Sequence, residues 1–445
     1  MDIKYLKQLV KYTLFCVALY LGSFVHAEQT ESFQYFTYNI QSTYVWQKHP
    51  QFSASYDGAS SLFSNQEIGY TLSATAFLGF RPWKGTEIFI DPEVTQGLPF
   101  SGLRGLGGMT NGEAQKAGST EPIAYWSRRF IRQTFSFGGG EIEQESAFNQ
   151  FAGNVDKRRL VITGGVFAAT DIFDQNTYAH DPRINFLNWS LMDYGAWEMP
   201  ADARGYTRGL VFEYYHDDWA FRAGRMLLPI ESNGLQLNGN FSQSFSDNLE
   251  IERGHSLYGQ PGRLRMLLFR SQAEMGSWSD ATQYAQLNGS TPDVANVRKS
   301  QVKSGFGISL EQALNQDLGL FARFSKNTGQ AEAYSFAQID QSLSFGLSLK
   351  GNQWSRPEDT VGMGVAFNSI SNAHIDYLNA GGQGFFCGDG QLTAPGKERV
   401  FEAFYSMKVH KALWATLDYQ RVNNPCYNTE RGPVNVYSLR LHMEF

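Results

Sequence analysis

The stretch between residues 169 and 205 carries the densest set of side chains that could do chemistry. It reads Thr170-Asp171-Ile172-Phe173-Asp174-Gln175-Asn176, then Asp181-Pro182-Arg183, Asn188-Trp189-Ser190 and Trp197. The neighbouring acids Asp171 and Asp174 could hold a cation; the alternative is that they cap turns and short helices inside a folded loop. The faces of Trp189 and Trp197 could stack on the apolar side of a ring-shaped solute. A second set is spread over alternating positions. Glu87 and Asp91 oppose Ile88 and Ile90, and Arg128 and Arg132 oppose Ile131 and Phe135. Glu250 and Glu252 oppose Leu249 and Ile251, and Arg323 opposes Leu320, Ala322 and Phe324. Arg81 shares the parity of Thr71, Ser73 and Thr75. Acids and arginines on different walls of one cavity would hydrogen-bond the vicinal hydroxyls of a neutral polyol from both sides. The alternative is a polar wall of the kind any aqueous pore requires.

Enzyme signatures are missing. The chain has no H-E-x-x-H, no G-x-S-x-G and no phosphate loop. Gly105 to Gly108 does not lead a strand into a helix, and the eight His residues are scattered. We therefore expect no catalytic residue, no metal and no cofactor.

Such residues need elements to position them, and composition limits which. The 445 residues include 44 Gly, 34 Phe and 22 Tyr, with only 18% charged. Globular chains average about 25% charged and about 7% Gly. High aromatic content and low charge exclude a disordered chain. A net charge of −6 without any Lys/Arg run argues against nucleic acid as a partner. A mean hydropathy of −0.35 excludes a bundle of membrane helices. A β-rich protein remains, either soluble or of the outer-membrane kind.

The first 27 residues have the layout of a secretory signal peptide. Lys4, Lys7 and Lys11 precede a short apolar run from Tyr12 to Phe24, and Val25-His26-Ala27 offers a small-residue cleavage site. Cleavage near Ala27 removes three Lys and Asp2, leaving 34 basic and 42 acidic residues, a net −8. Residues 28–445 read as one domain.

That domain alternates with period two. Tyr437, Leu439, Leu441, Met443 and Phe445 interleave with Ser438, Arg440, His442 and Glu444. Similar runs begin at Phe36 and Tyr70, and aromatics gather at segment ends, as the interfacial girdles of membrane barrels require. The alternation predicts sixteen strands: 36–46, 66–81, 86–95, 124–138, 157–168, 206–216, 218–229, 246–256, 263–273, 303–312, 318–326, 335–350, 360–370, 397–408, 413–422 and 434–445. Connections from odd to even strands come out long, and most of those from even to odd strands come out tight. Residues 139–156 are the exception. This sorting is that of an antiparallel transmembrane β-barrel with long extracellular loops. A barrel of that size leaves a wide aqueous channel, so the 169–205 segment is expected to fold into the lumen and narrow it. Cys387 and Cys426 then lie in neighbouring outer loops, and an even pair in an oxidising compartment predicts a disulfide between them.

The chain also resembles the carbohydrate-selective porins, the glucose-porin type of Gram-negative outer membranes. The resemblance rests on Tyr56-Asp57-Gly58 with Ser60-Ser61-Leu62, on Phe77 to Gly85 (FLGFRPWKG), and on Asn111-Gly112-Glu113-Ala114. It continues in Asp171 to Asn176, Asp181-Pro182-Arg183, Asn188-Trp189, Trp354 to Thr360 (WSRPEDT) and Ala380 to Gly384 (AGGQG). Gly388-Asp389-Gly390, Asp418-Tyr419-Gln420, Asn424-Pro425 and Arg431-Gly432-Pro433-Val434 complete it. Cys387 and Cys426 depart from the aliphatic and small residues that the family pattern would place there. The resemblance implies a sixteen-stranded barrel for passive uptake of small sugars, with Arg, acidic and aromatic residues along the path. From lumen parity and loop position, that path is expected to include Arg81, Glu87, Asp91, Arg128, Arg132, Asp171, Asp174, Trp189 and Trp197. The runner-up is a general or acid-solute diffusion porin, which a one-sign ring of arginines would favour. Expected partners are outer-membrane lipid and lipopolysaccharide, and the barrel-assembly machinery through the strand ending at Phe445. Both a monomer and a homotrimer fit the sequence.

Overall fold

The computed structural model describes residues 33–445 except 337 and 391. The proposed signal peptide and its cleavage site lie outside the described residues. Strands β1 (Phe36–His49), β2 (Glu67–Trp83), β3 (Thr86–Leu98) and β4 (Ile123–Ser136) are followed by a small hairpin of β5 (Glu141–Gln144) and β6 (Gly153–Asp156). Next come β7 (Arg158–Phe167), β8 (Thr207–His216), β9 (Trp219–Leu227), β10 (Phe245–Leu257), β11 (Gln260–Met275) and β12 (Lys299–Ala313). The last six are β13 (Leu318–Asn327), β14 (Gln341–Gly351), β15 (Arg356–Ser369), β16 (Glu398–His410), β17 (Leu413–Asn423) and β18 (Val434–Glu444). Apart from β5 and β6, these strands form one closed antiparallel barrel of sixteen. Pairing of β1 with β18, from Gln41↔Glu444 to Lys48↔Tyr437, closes it. Closure leaves no edge strand with unpaired backbone groups, the condition for crossing lipid with strands.

Alternation then sorts side chains by solvent. Outward positions such as Leu78, Ile90, Ile131, Phe212, Ile251, Met266, Phe345 and Leu439 are large, apolar and exposed. A water-soluble protein rarely exposes so much apolar surface; a barrel presents it to lipid. Phe80, Trp83, Phe135, Phe137, Tyr214 and Trp219 are exposed aromatics at the strand ends beside the short turns. The β2–β3 turn shows how tight these connections are. Gly85 has φ +87°, and a Cβ there would come within 2.6 Å of the Thr134 carbonyl oxygen.

All sixteen expected strands are present, with shifted ends. The twelfth begins at Gln341 rather than 335, because Ser335, Phe336 and Gln338 are buried in an inward loop. The exceptional 139–156 connection is not a plain turn. It holds the β5–β6 hairpin, whose tip turns into the short-turn mouth. There Phe148 stacks on Phe77 at 4.6 Å, Asn149 donates to Asp91 at 2.9 Å, and Arg132 donates to the Asn149 carbonyl at 2.9 Å. The 168–206 loop also enters the lumen. It contains the short helix α1 (Trp189–Met192) and packs Phe173, Trp189, Tyr194 and Trp197 into a buried cluster with wall residues Phe89, Phe130 and Phe269. Helices α2 (Trp278–Asn288) and α3 (Asn372–Asn379) lie in the long loops.

Cys387 and Cys426 form a disulfide between two long loops, as their topology predicts. Thiol alkylation of the unreduced, denatured protein should label neither residue, and reduction should make both reactive. Labelling of both without reductant would exclude the bond.

Candidate functional site

A segment folded into a barrel cannot satisfy its backbone by joining the sheet. A buried N–H or C=O left without a partner costs about 1–3 kcal/mol. The wall supplies partners with charged side chains. Glu402 on β16 accepts from the N–H groups of Leu187 and Asn188 at 2.5 and 2.9 Å. Glu398 accepts from Gly107, Gly108 and Cys426 at 2.9, 3.0 and 2.9 Å. Glu250 accepts from the Asp174 N–H at 2.9 Å, and Glu311 from the Thr177 N–H at 2.7 Å. Arginines serve the carbonyls. Arg440 donates to Pro182 and Asn185, each at 2.7 Å, and Arg323 donates to Leu191 at 2.9 Å and to Ala179. Acids thus hold loop donors and arginines hold loop acceptors.

The space left over includes two sizeable cavities. The larger, about 470 Å³, lies on the short-turn side and is lined in part by Glu87, Arg132, Phe148, Arg159, Glu213 and Arg222. The smaller, about 110 Å³, lies on the long-loop side, where Glu113, Lys116, Trp189 and Arg204 contribute. Arg128, Asp171, His180, Asp181 and Arg183 line both, so the cavities adjoin at these five residues. Arg128 grips Asp171 with both arms of its fork, at 2.6 and 2.7 Å. Arg183 lies 3.1 Å from Glu113 and 3.5 Å from Asp181. Burial by itself would raise the Asp171 carboxyl, but the Arg128 guanidinium outweighs it and holds the acid below its usual range. Burial lowers the His180 imidazole, which favours its neutral form. The place where the two cavities adjoin is therefore lined by both signs of charge, with each charge close to its opposite.

The nine expected path residues fall into separate groups. Arg128 and Asp171 line both cavities, Glu87 and Arg132 the larger one, and Trp189 the smaller one. Arg81 stands beside them, paired with Glu87 at 2.8 Å and lying 4.2 Å above the Phe151 ring. Asp91 is buried beneath Asn149. Asp174 is committed to Arg323 at 2.9 Å, and the Trp197 indole is buried with its N–H donated to Asn248 at 2.9 Å. Neither Asp174 nor Trp197 lines either cavity. Trp189 is 3% exposed and stacks on Phe336 at 4.9 Å, which leaves little of its face for a solute.

The two acids considered as a cation site face different guanidiniums, Asp171 towards Arg128 and Asp174 towards Arg323. The expected separation of acids and arginines onto different walls is replaced by close pairing, as in Arg222–Glu250 and Arg265–Glu252, both 2.7 Å. Parity reports which side of a sheet a residue faces, not what the loops place opposite it. Parity also has nothing to say of His180, Asp181 and Arg183, which reach this place from the loop. Their only trace in the sequence is the Asp181-Pro182-Arg183 motif.

Comparison with known proteins agrees with this architecture. Residues 77–445 match the model of the carbohydrate-selective porin OprB family. The chain is similar to the structure of Pseudomonas putida OprB, with 16% identity, 92% of this chain and 94% of that one covered, and a TM-score of 0.69. Acinetobacter baumannii OccAB1 aligns over 94% of this chain and 99% of its own, with 11% identity and a TM-score of 0.47. No curated protein sequence matches.

Replacing Glu402 by Ala strands two buried loop donors. The expected cost is about 3 kcal/mol in unfolding from lipid vesicles, accompanied by a rise in single-channel conductance as the loop loosens. E402Q, which keeps an acceptor, should fall between. A wild-type unfolding midpoint and conductance in E402A would refute the anchoring role.

Proposed function

Because the chain belongs to the carbohydrate-selective porin family and is a sugar-selective channel of the outer membrane, we propose that small sugars cross it through the two adjoining cavities. The observation that carries this reading is the set of five residues shared by both cavities, Arg128, Asp171, His180, Asp181 and Arg183. They are all hydrogen-bonding groups, and together they carry both signs of charge. A neutral polyol is both donor and acceptor, so it can exchange hydroxyl–water contacts for contacts with carboxylates and guanidiniums without needing a counter-ion. A lone ion meets its own sign at short range and gains less.

The larger cavity suits this role by size, since small-molecule sites run from about 300 to 1,000 Å³. Phe148 and Tyr215, half-buried in its lining, offer apolar contact to the ring of a sugar, while Glu87, Arg132, Arg159 and Glu213 offer polar contacts. Transport needs contacts that are favourable enough to admit the solute and weak enough to release it, spread over several sites. No covalent step belongs to this reading, and the residues act only by binding and orienting. Asp174, Trp197 and Asp91 are assigned to holding the inward segments. The paired charges also speak against the acid-solute alternative, which calls for arginines of one sign around the constriction.

Asp171→Asn removes the carboxylate while keeping its shape. In planar bilayers, glucose or maltose titrated into the wild-type channel should reduce its ion current in a saturable way. The half-blocking concentration should rise about tenfold in D171N, the worth of one charge-assisted hydrogen bond. The same variant should shift ion preference towards anions, because Arg128 loses its nearest counter-charge. Unchanged sugar block in D171N would remove this residue from the path. Block by small organic acids alone would overturn the sugar reading.

A further inference from the structure

The outer wall carries a patch that the channel does not use. Arg208 on β8, Arg225 on β9 and Arg270 on β11 all point outward and are exposed. Pairing places them together: Asp247 on β10 lies opposite Arg225 on one side and Arg270 on the other, and Arg225 lies opposite Leu210, two residues from Arg208. Arg225 is clamped by Asp247 through two bonds of 2.7 and 2.8 Å. Its guanidinium lies 3.9 Å from the centre of the Phe245 ring, and that of Arg270 lies 5.7 Å from the same ring. Arg208 and Arg270 have no carboxylate within ion-pair distance among the described residues. The patch thus holds three guanidiniums against one acid.

Its height on the wall identifies the partner. Moving towards the short turns, the next outward side chains are Leu210, Phe212, Leu249, Ile251, Leu268 and Met266, all exposed. These belong to the lipid-facing band. The arginines sit where that band ends on the long-loop side, which is the outer leaflet of the membrane. Arg is costly on the lipid face in mid-bilayer and tolerated at the interface. The guanidinium forks of Arg208 and Arg270 match the oxygens of a phosphate, while Arg225, its fork closed on Asp247, stands between them. A second copy of the chain would need acids to answer the patch, and the patch's own outward acid, Asp247, is already closed on Arg225.

We propose that this patch binds a phosphate group of the outer-leaflet glycolipid, lipopolysaccharide, with the acyl chains lying along the apolar band below. The full-length protein in detergent is titrated with lipopolysaccharide, with the same glycolipid after enzymatic dephosphorylation, and with inorganic phosphate. Affinity for lipopolysaccharide should fall about tenfold in R208Q/R270Q and stay at the wild-type value in R253Q, an exposed outward arginine nearer the short-turn end of β10. Dephosphorylation should weaken binding to the wild type by a similar factor, and inorganic phosphate should not compete. Equal binding of lipopolysaccharide by R208Q/R270Q and wild type would overturn the proposal, as would indifference to dephosphorylation or competition by free phosphate. The double variant should keep the wild-type sugar block in planar bilayers. An altered block would contradict the outward placement of both side chains and likewise overturn it.

Discussion

Everything inside this barrel depends on satisfying the backbone of the segments that enter it. A sixteen-stranded sheet leaves more space than its own side chains fill, and the chain fills much of it with loops. Each inward residue brings an N–H and a C=O that no longer meet bulk water. Glu398, Glu402, Glu250 and Glu311 take the donors, and Arg323 and Arg440 take the acceptors. Charged partners suit this work because their hydrogen bonds are stronger than neutral ones and because one carboxylate accepts from two or three amides at once.

The same arrangement decides which charges are left for a solute. Wall residues that grip a loop are consumed, as the Arg323–Asp174 pair shows. Those around the two cavities remain accessible, and where the cavities adjoin they come in opposite pairs. Loop anchoring and solute selection are therefore parts of one electrostatic pattern. A substitution that loosens the 168–206 loop alters the constriction even when the residue changed touches no solute.

The outer face obeys a different rule. Lipid admits apolar side chains and penalises charge, so a cluster of outward arginines is confined to the edge of the apolar band. Arg208, Arg225 and Arg270 occupy that edge on the long-loop side. The barrel wall thus presents two unrelated polar surfaces, one lining the lumen and one at the membrane interface, separated by a single layer of β-sheet.

What the sequence determined by itself was the wall. Strand number, strand order and the inward or outward sense of each side chain follow from period-two alternation, because successive residues of a strand must face opposite sides and the two sides here meet opposite solvents. The sorting of loop lengths and the Cys387–Cys426 bridge follow from the same topology. What only the tertiary structure decided was the interior. Arg128 and Glu250 share the same inward sense, yet one lines both cavities and the other holds a loop. Trp197 looks like a stacking platform until the loop buries it, and residues 139–156 and the stretch around Phe336 look like a connection and a strand until they turn into the lumen. Loops have no periodicity to read. Their placement depends on which wall charges meet their backbone groups across the barrel, and those contacts join residues hundreds of positions apart, such as Leu187 and Glu402.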